Sequence, residues 1–114
     1  MTDPLLTSLE AALADTSGVF IPPGTDSASY LSGLADGIRK NVCQPFHISA
    51  TVMPPGFSDA PVGATISGYC VAHSAGYWLV YQPDQDRFYC FWGEIPGNLG
   101  AHGVVGTPLQ CWSA

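Results

Sequence analysis

Two aromatic segments separated by a turn constrain this chain more than any other feature. Residues 77–81 read YWLVY and residues 88–92 read FYCFW, and both consist of residue types that are enriched in strands. Between them, residues 83–86 read PDQD, where proline pre-sets a turn dihedral and aspartate tolerates turn geometry. The pattern predicts a β-hairpin. Residues 66–72 predict a further strand, which residues 73–76 turn back onto the hairpin.

The three strands predict a register and two faces. We expect Tyr81 opposite Phe88, and Ala72 opposite Tyr77. Because side chains alternate across a strand, one face then carries Cys70, Ala72, Tyr77, Leu79, Tyr81, Phe88, Cys90 and Trp92. The other carries Tyr69, Val71, Trp78, Val80, Gln82, Arg87, Tyr89 and Phe91. Both faces are aromatic, which is more than a sheet with one buried face needs.

The N-terminal half predicts two helices and a strand. Asp3 followed by Pro4 is typical of a helix start, and residues 5–13 carry apolar side chains at helical spacing. A similar stripe over residues 30–38 predicts a second helix, which Thr25, Asp26 or Ser27 caps. Residues 46–53 alternate between apolar and polar side chains, which predicts a strand with one face on the core.

These elements predict an α+β fold in which two N-terminal helices pack on one face of a mostly antiparallel sheet of four to five strands, with a meander in the C-terminal half. The face with Leu79 and Cys90 is expected under the helices, together with Phe46, Ile48 and Val52. Residues 19–21 and 104–105 predict short strands. An aromatic residue near the C-terminus, Trp112, suggests that the tail docks.

The composition indicates one globular domain over residues 1–114. Apolar residues make up 46% of the chain and charged residues 11%, so the chain is not of the disordered type. The net charge of −6 disfavours nucleic acid, which needs a basic patch, and favours a basic partner. No apolar run spans a membrane, and the N-terminus lacks a cationic leader. We therefore expect a cytoplasmic protein without membrane or nucleic-acid partners, whose cysteines are thiols.

One short motif resembles a catalytic element. Residues 72–76 read AHSAG after an apolar strand, which resembles the nucleophile elbow of α/β-hydrolases, where a strand-to-helix turn exposes the serine. The resemblance implies Ser74 as nucleophile, with His73 beside it, His102 as base, and Asp84, Asp86 or Glu94 as acid. An elbow leads into a helix, however, and residues 77–81 predict a strand. A β-turn is therefore the favoured interpretation, and an enzyme is the less favoured class.

The cysteines suggest buried thiols more than a metal site. Cys43 lies four residues before His47, and Cys70 lies three residues before His73, which looks like two zinc half-sites. A strand would point Cys70 and His73 to opposite faces, and cysteine is among the most often buried residue types. If one cysteine acts as a nucleophile, the sequence favours Cys43, because it follows the cations Arg39 and Lys40. We expect Cys43, Cys70, Cys90 and Cys111 to be buried thiols, and no metal or cofactor.

The second aromatic face is the strongest functional signal. Exposed Tyr and Trp are enriched at interface hot spots, and an exposed apolar face of this kind usually contacts a partner. The residues expected to contact a protein partner are Tyr69, Trp78, Tyr89, Phe91, Asp84, Asp86 and Glu94. The alternatives are that residues 101–114 or a second copy of the chain cover this face.

Three functions follow as hypotheses. The favoured one is a non-enzymatic protein-binding module, in a concrete version an immunity-type inhibitor that blocks a bacterial toxin with a basic domain. That version depends on small size and acidic charge only. The second is a small hydrolase-like or ligand-binding protein with Ser74, His73 and His102 clustered. The third is a structural homo-oligomer, for example a homodimer, in which the aromatic face forms the contact between copies.

Overall fold

The computed structural model describes residues 3–113, which begin with two helices. Helix α1 (Pro4–Ala12) starts as predicted, because the Asp3 carboxylate accepts a hydrogen bond from the Leu5 N–H at 2.8 Å. Helix α2 (Ser27–Lys40) is capped by Asp26, whose carboxylate accepts from the Ser29 N–H at 2.9 Å. Among the helices of this described range, none combines the length and the apolar character needed to cross a membrane.

Five strands and a short helix follow. The strands are β1 (Val42–Val52), β2 (Thr65–Ser74), β3 (Tyr77–Gln82), β4 (Arg87–Trp92) and β5 (Gly100–Gly106), and the last helix is α3 (Pro108–Trp112). Each strand pairs antiparallel with the next one. The predicted α+β fold with a mostly antiparallel meander is therefore confirmed.

The sheet closes on itself where β1 meets β5. Thr51 pairs with Gly100 in the parallel sense, and the Met53 N–H donates to the Ala101 carbonyl at 2.8 Å. Closure turns one face of the sheet into an enclosed interior and leaves the other face to the helices and to solvent. The sequence predicts only a two-residue strand in the region of β5, so it does not predict closure.

The predicted register is confirmed in one hairpin and wrong in the other. Tyr81 pairs with Phe88 across β3 and β4, as expected. Across β2 and β3, however, Tyr77 pairs with Ser74 and not with Ala72. The connecting turn is therefore two residues long, where the sequence suggests a longer one.

The turn and a β-bulge explain this difference. Ala75 and Gly76 have φ values of 42° and 84°, and two successive residues with positive φ make the tight turn that suits the twist of a hairpin. The register then shifts between Cys70 and Ala72. As a result, Cys70 faces the interior, while Val71 and Ala72 both pack on the helix side.

The apolar residues form two clusters, one on each side of the sheet. The inner cluster consists of Ile48, Ala50, Cys70, Trp78, Val80, Tyr89, Phe91, Leu99 and Ala101. The outer cluster lies under the helices and consists of Leu9, Leu13, Ala35, Ile38, Val71, Ala72, Leu79, Tyr81, Phe88, Cys90, Leu109 and Cys111. Both N-terminal helices thus pack on one face of the sheet, as predicted.

Two expectations about apolar segments are wrong. Phe46 and Ile48 pack with the inner cluster and not beneath the helices, because closure gives β1 apolar neighbours on its interior side. Residues 19–21 form no strand, and Phe20 is 74% exposed. The expected docking of the tail is confirmed, since Leu109 and Cys111 are buried and the Tyr77 hydroxyl donates to the Cys111 carbonyl.

Candidate partner-binding site

Three of the four aromatic residues expected to contact a partner lie inside the closed sheet. Trp78, Tyr89 and Phe91 are 7%, 2% and 0% exposed. The expected exposure of this face is wrong for these side chains, because β5 closes the sheet over them. The alternative that the segment from residue 101 onward covers this face is confirmed for Ala101, which packs in the inner cluster. The buried rings now stabilise the fold and cannot touch a second copy.

The fourth aromatic residue, Tyr69, lines a surface groove. Tyr69 is 38% exposed, and the groove has a volume of about 380 Å³. The His47 ring packs edge-on against Tyr69 with 5.5 Å between ring centroids. Ser67, Gln82 and Asp84 belong to the same lining. The groove therefore unites Tyr69 and Asp84, two of the residues expected to bind a partner.

The β3–β4 turn positions the two aspartates differently. Asp86 has a φ of 50°, and its carboxylate accepts a hydrogen bond from the Tyr81 hydroxyl at 2.6 Å. This bond is the main reason that the pKa of Tyr81 is raised. Asp84 is exposed and makes no ion pair with any residue in the described range. The Asp84 carboxylate is therefore exposed to solvent, whereas the Asp86 carboxylate stabilises the turn through its hydrogen bond with Tyr81.

Two further carboxylates lie near this turn. Asp59, from the loop between β1 and β2, pairs with Arg87 at 2.6 Å, and this bond holds the pKa of Asp59 below its usual value. Asp15 and Asp86 line a second cavity with Arg87, of about 590 Å³. Asp84 also acts on the Arg87 guanidinium, whose pKa is raised chiefly by Asp59. We call Asp15, Asp59, Asp84 and Asp86 the acidic end.

The acidic end is electrostatically one-sided. Asp59 pairs with the Arg87 guanidinium, Asp84 acts on it electrostatically, and Asp15 and Asp86 line the same cavity as Arg87. The other two cations are at the end of α2, where Arg39 pairs with Glu10 at 2.8 Å and with Asp36 at 3.3 Å. The acidic end and Arg87 together carry a formal charge of −3, which is half of the net charge of −6.

Glu94 lies at the opposite end. It follows β4, whereas Asp84 and Asp86 precede that strand. Six strand residues span roughly 20 Å. The structure therefore does not bring Glu94 together with the two aspartates, so a partner contact at Glu94 would belong to a different surface from a contact at Asp84.

The motif that resembles a nucleophile elbow is a β-hairpin. Ser74 ends β2 and pairs with Tyr77, the first residue of β3, so the favoured interpretation as a β-turn is confirmed and no helix follows the serine. His73 stacks on Trp78 at 4.7 Å, with 25° between the ring planes. His102 lies on β5 and packs edge-on against Trp92. Because β2 and β5 are not neighbouring strands, the hairpin does not gather these groups into a triad.

The four cysteines lie in the two cores. Cys70, Cys90 and Cys111 are 0% exposed, Cys43 is half-buried, and all four are free thiols. The Sγ atoms of Cys43 and Cys70 are 3.9 Å apart. Burial raises the pKa of Cys90 to about 12 and raises the pKa values of the other three. Within residues 3–113, no three or more His, Cys, Asp or Glu side chains gather as metal ligands would.

No protein-family model, no curated protein and no solved structure matches this chain. A function must therefore be inferred from the side chains themselves.

Sequence reasoning missed three members of the site. Asp59 and Arg87 are separated by 28 positions, and Asp15 reaches the turn from the segment after α1. Nothing local in the sequence signals these approaches. The one signal in the sequence is the excess of nine acidic residues over three cations, because carboxylates from distant segments then compete for the same arginines.

Proposed function

We propose that this chain is a non-catalytic protein-binding module that holds a basic partner at the acidic end and in the groove of Tyr69. The observation that carries the proposal is the position of Asp84. This residue is exposed, lines the same groove as the exposed Tyr69 and acts on Arg87, the arginine that pairs with Asp59. A lysine or arginine side chain of a partner suits such a place, since it can pair with the carboxylate and stack on the ring.

The physical effect of this surface would be on association. Concentrated charge of one sign steers a partner of opposite charge and raises association rates by about 10- to 1,000-fold at low salt. The exposed ring then supplies apolar area at low cost in side-chain entropy, as tyrosine does at many interfaces. The acidic end would therefore attract the basic partner, and the groove of Tyr69 would bind one of its side chains.

The concrete version is an immunity-type inhibitor that binds the basic domain of a bacterial toxin in the cytoplasm. The small size of the chain and its net charge of −6 support this version. The four free thiols are consistent with a reducing compartment.

The test is affinity capture from the lysate of the source organism with three matched baits. The baits are the wild type, Asp84→Lys, and Glu94→Lys, which makes the same charge change at the other end of β4. The proposal expects one basic protein in stoichiometric amount with the wild type and Glu94→Lys, and its loss with Asp84→Lys. Retention by all three baits, or recovery of an acidic protein, would contradict the proposed surface.

A further inference from the structure

We propose that Cys43 and Cys70 form a modification site, at which a small disulfide of the glutathione type converts the two thiols into an internal disulfide. The two Sγ atoms are 3.9 Å apart, and the Cys43 Sγ also lies 3.7 Å from the Cys70 carbonyl oxygen. The pairing involves neighbouring strands of the sheet and does not rest on the proposed binding function.

The backbone near Cys43 allows the remaining approach. Val42 pairs with Ala72 and Phe46 with Cys70, so β1 has three residues where β2 has one. This irregular segment includes Pro45, which has no N–H to give to the sheet. A disulfide bond needs an S–S distance of about 2.05 Å. Side-chain rotation and a small shift of the irregular segment can supply the difference, because few ladder hydrogen bonds hold it in place.

The two thiols differ in access. Cys43 is half-buried, whereas Cys70 is 0% exposed. A reagent therefore reaches Cys43 first, and Cys70 is placed to complete the reaction from inside. Desolvation raises the pKa of Cys43, so the exchange should be slow at neutral pH and faster at higher pH, where more thiolate is present.

The exchange has two balanced steps. The Cys43 thiolate attacks one sulfur of glutathione disulfide, whose S–S bond breaks as a mixed disulfide forms, and one glutathione thiolate leaves and takes up a proton. Cys70 then loses its proton and attacks the Cys43 sulfur, and the second glutathione leaves. Two protein thiols lose two electrons, and one glutathione disulfide becomes two thiols.

The modification would affect both stability and the groove. A bond between Cys43 and Cys70 closes the chain over residues 43–70, including the long loop between β1 and β2. Closing a loop of this length should raise the melting temperature by about 10 °C. Cys70 is also next to Tyr69, which points to the opposite side of β2. The disulfide would thus fix the two strands directly behind the groove.

The distribution of cations makes the test direct. The only Lys and Arg residues are Arg39, Lys40 and Arg87. Trypsin therefore releases one peptide, residues 41–87, with Cys43 and Cys70, and another, residues 88–114, with Cys90 and Cys111. The folded protein is incubated with glutathione disulfide, denatured without reductant, alkylated with iodoacetamide, digested and weighed by mass spectrometry.

We expect peptide 41–87 to be two hydrogen atoms lighter and unalkylated, and to return to two alkylated thiols after reduction. In Cys43→Ser, Cys70 should remain a thiol that is alkylated only after denaturation. Three results would overturn the proposal: two alkylated thiols in peptide 41–87 after incubation at raised pH, a glutathione that stays on Cys43, or a bond between the two peptides. Oxidised protein that melts at the temperature of the reduced protein would overturn the predicted stabilisation.

Discussion

Gly68 is a position in the closed sheet where no side chain fits without movement of the backbone, and Gly68→Ala should destabilise the protein. Gly68 is buried in β2 opposite Ile48. A Cβ at this position would lie 2.7 Å from the Val80 Cγ1 atom and 2.8 Å from the Tyr81 carbonyl oxygen. The carbonyl belongs to the backbone of β3, so relief requires that strand to move.

The expected magnitude follows from two opposing effects. Overpacking of this kind costs about 1–3 kcal/mol. Alanine also restricts the unfolded chain, which returns about 0.4–1 kcal/mol. We therefore expect the free energy of unfolding to fall by about 1–2 kcal/mol, and the melting temperature to fall by roughly 4–8 °C for each kcal/mol.

The assay is urea unfolding followed by tryptophan fluorescence, with the same substitution elsewhere as control. Gly33 lies in α2, and a Cβ there meets no atom within 4 Å. Gly33→Ala should therefore raise the free energy of unfolding by about 0.5–1 kcal/mol, the usual gain in a helix interior. If both variants were more stable than the wild type, the close approach of β2 and β3 at Gly68 would be refuted.

Two further substitutions test the helices. Leu109→Ala removes a side chain that is 1% exposed in the outer cluster, and should lower the free energy of unfolding by about 2–5 kcal/mol in urea titrations. Phe20→Ala, at a position that is 74% exposed, should change this free energy little. Equal effects of the two substitutions would contradict docking of the tail. The bonds from Ser29 lower the pKa of Asp26 from 3.8, so its contribution is present above that pH and lost as the pH falls through the lowered value. Below pH about 4, the melting temperature should therefore decrease less steeply with falling pH in Asp26→Asn, because asparagine keeps the acceptor but is not protonated. Equal slopes for Asp26→Asn and the wild type would show that the Asp26 cap does not contribute to acid sensitivity.

Short-range chemistry made much of the fold predictable. The caps at Asp3 and Asp26, the apolar stripes of the two helices, and the register of the β3–β4 hairpin each depend on residues close together in sequence. Such patterns indicate the conformation that a segment prefers locally, and the native structure usually agrees with these local preferences.

Closure of the sheet could not be predicted in the same way. It depends on a short parallel contact, such as that of Thr51 with Gly100, between segments about half the chain apart. The β-bulge near Val71 also reverses the face on which Cys70 lies, and a one-residue shift has no clear signature in a strand that is apolar on both faces. Closure buries Trp78, and the β-bulge places Cys70 in the interior beside it.

The site was predictable only where one strand and its turn sufficed. Asp84 could be placed on an exposed surface from the turn residues. Alternation grouped Tyr69 with Trp78, Tyr89 and Phe91, and Tyr69 lies outside the closed sheet because the register of β2 and β3 differs from the predicted one. Asp59 could not be placed, since its approach to Arg87 depends on the path of a loop across the sheet.

The association rate of the captured partner, measured against ionic strength, would show whether the acidic end attracts and holds that partner. Wild type, Asp84→Lys and Glu94→Lys would be compared in stopped-flow mixing at low and at physiological salt. We predict that Asp84→Lys slows association about tenfold at low salt and flattens its salt dependence, with little change for Glu94→Lys. Equal association rates for all three proteins would contradict a partner attracted and held by the acidic end.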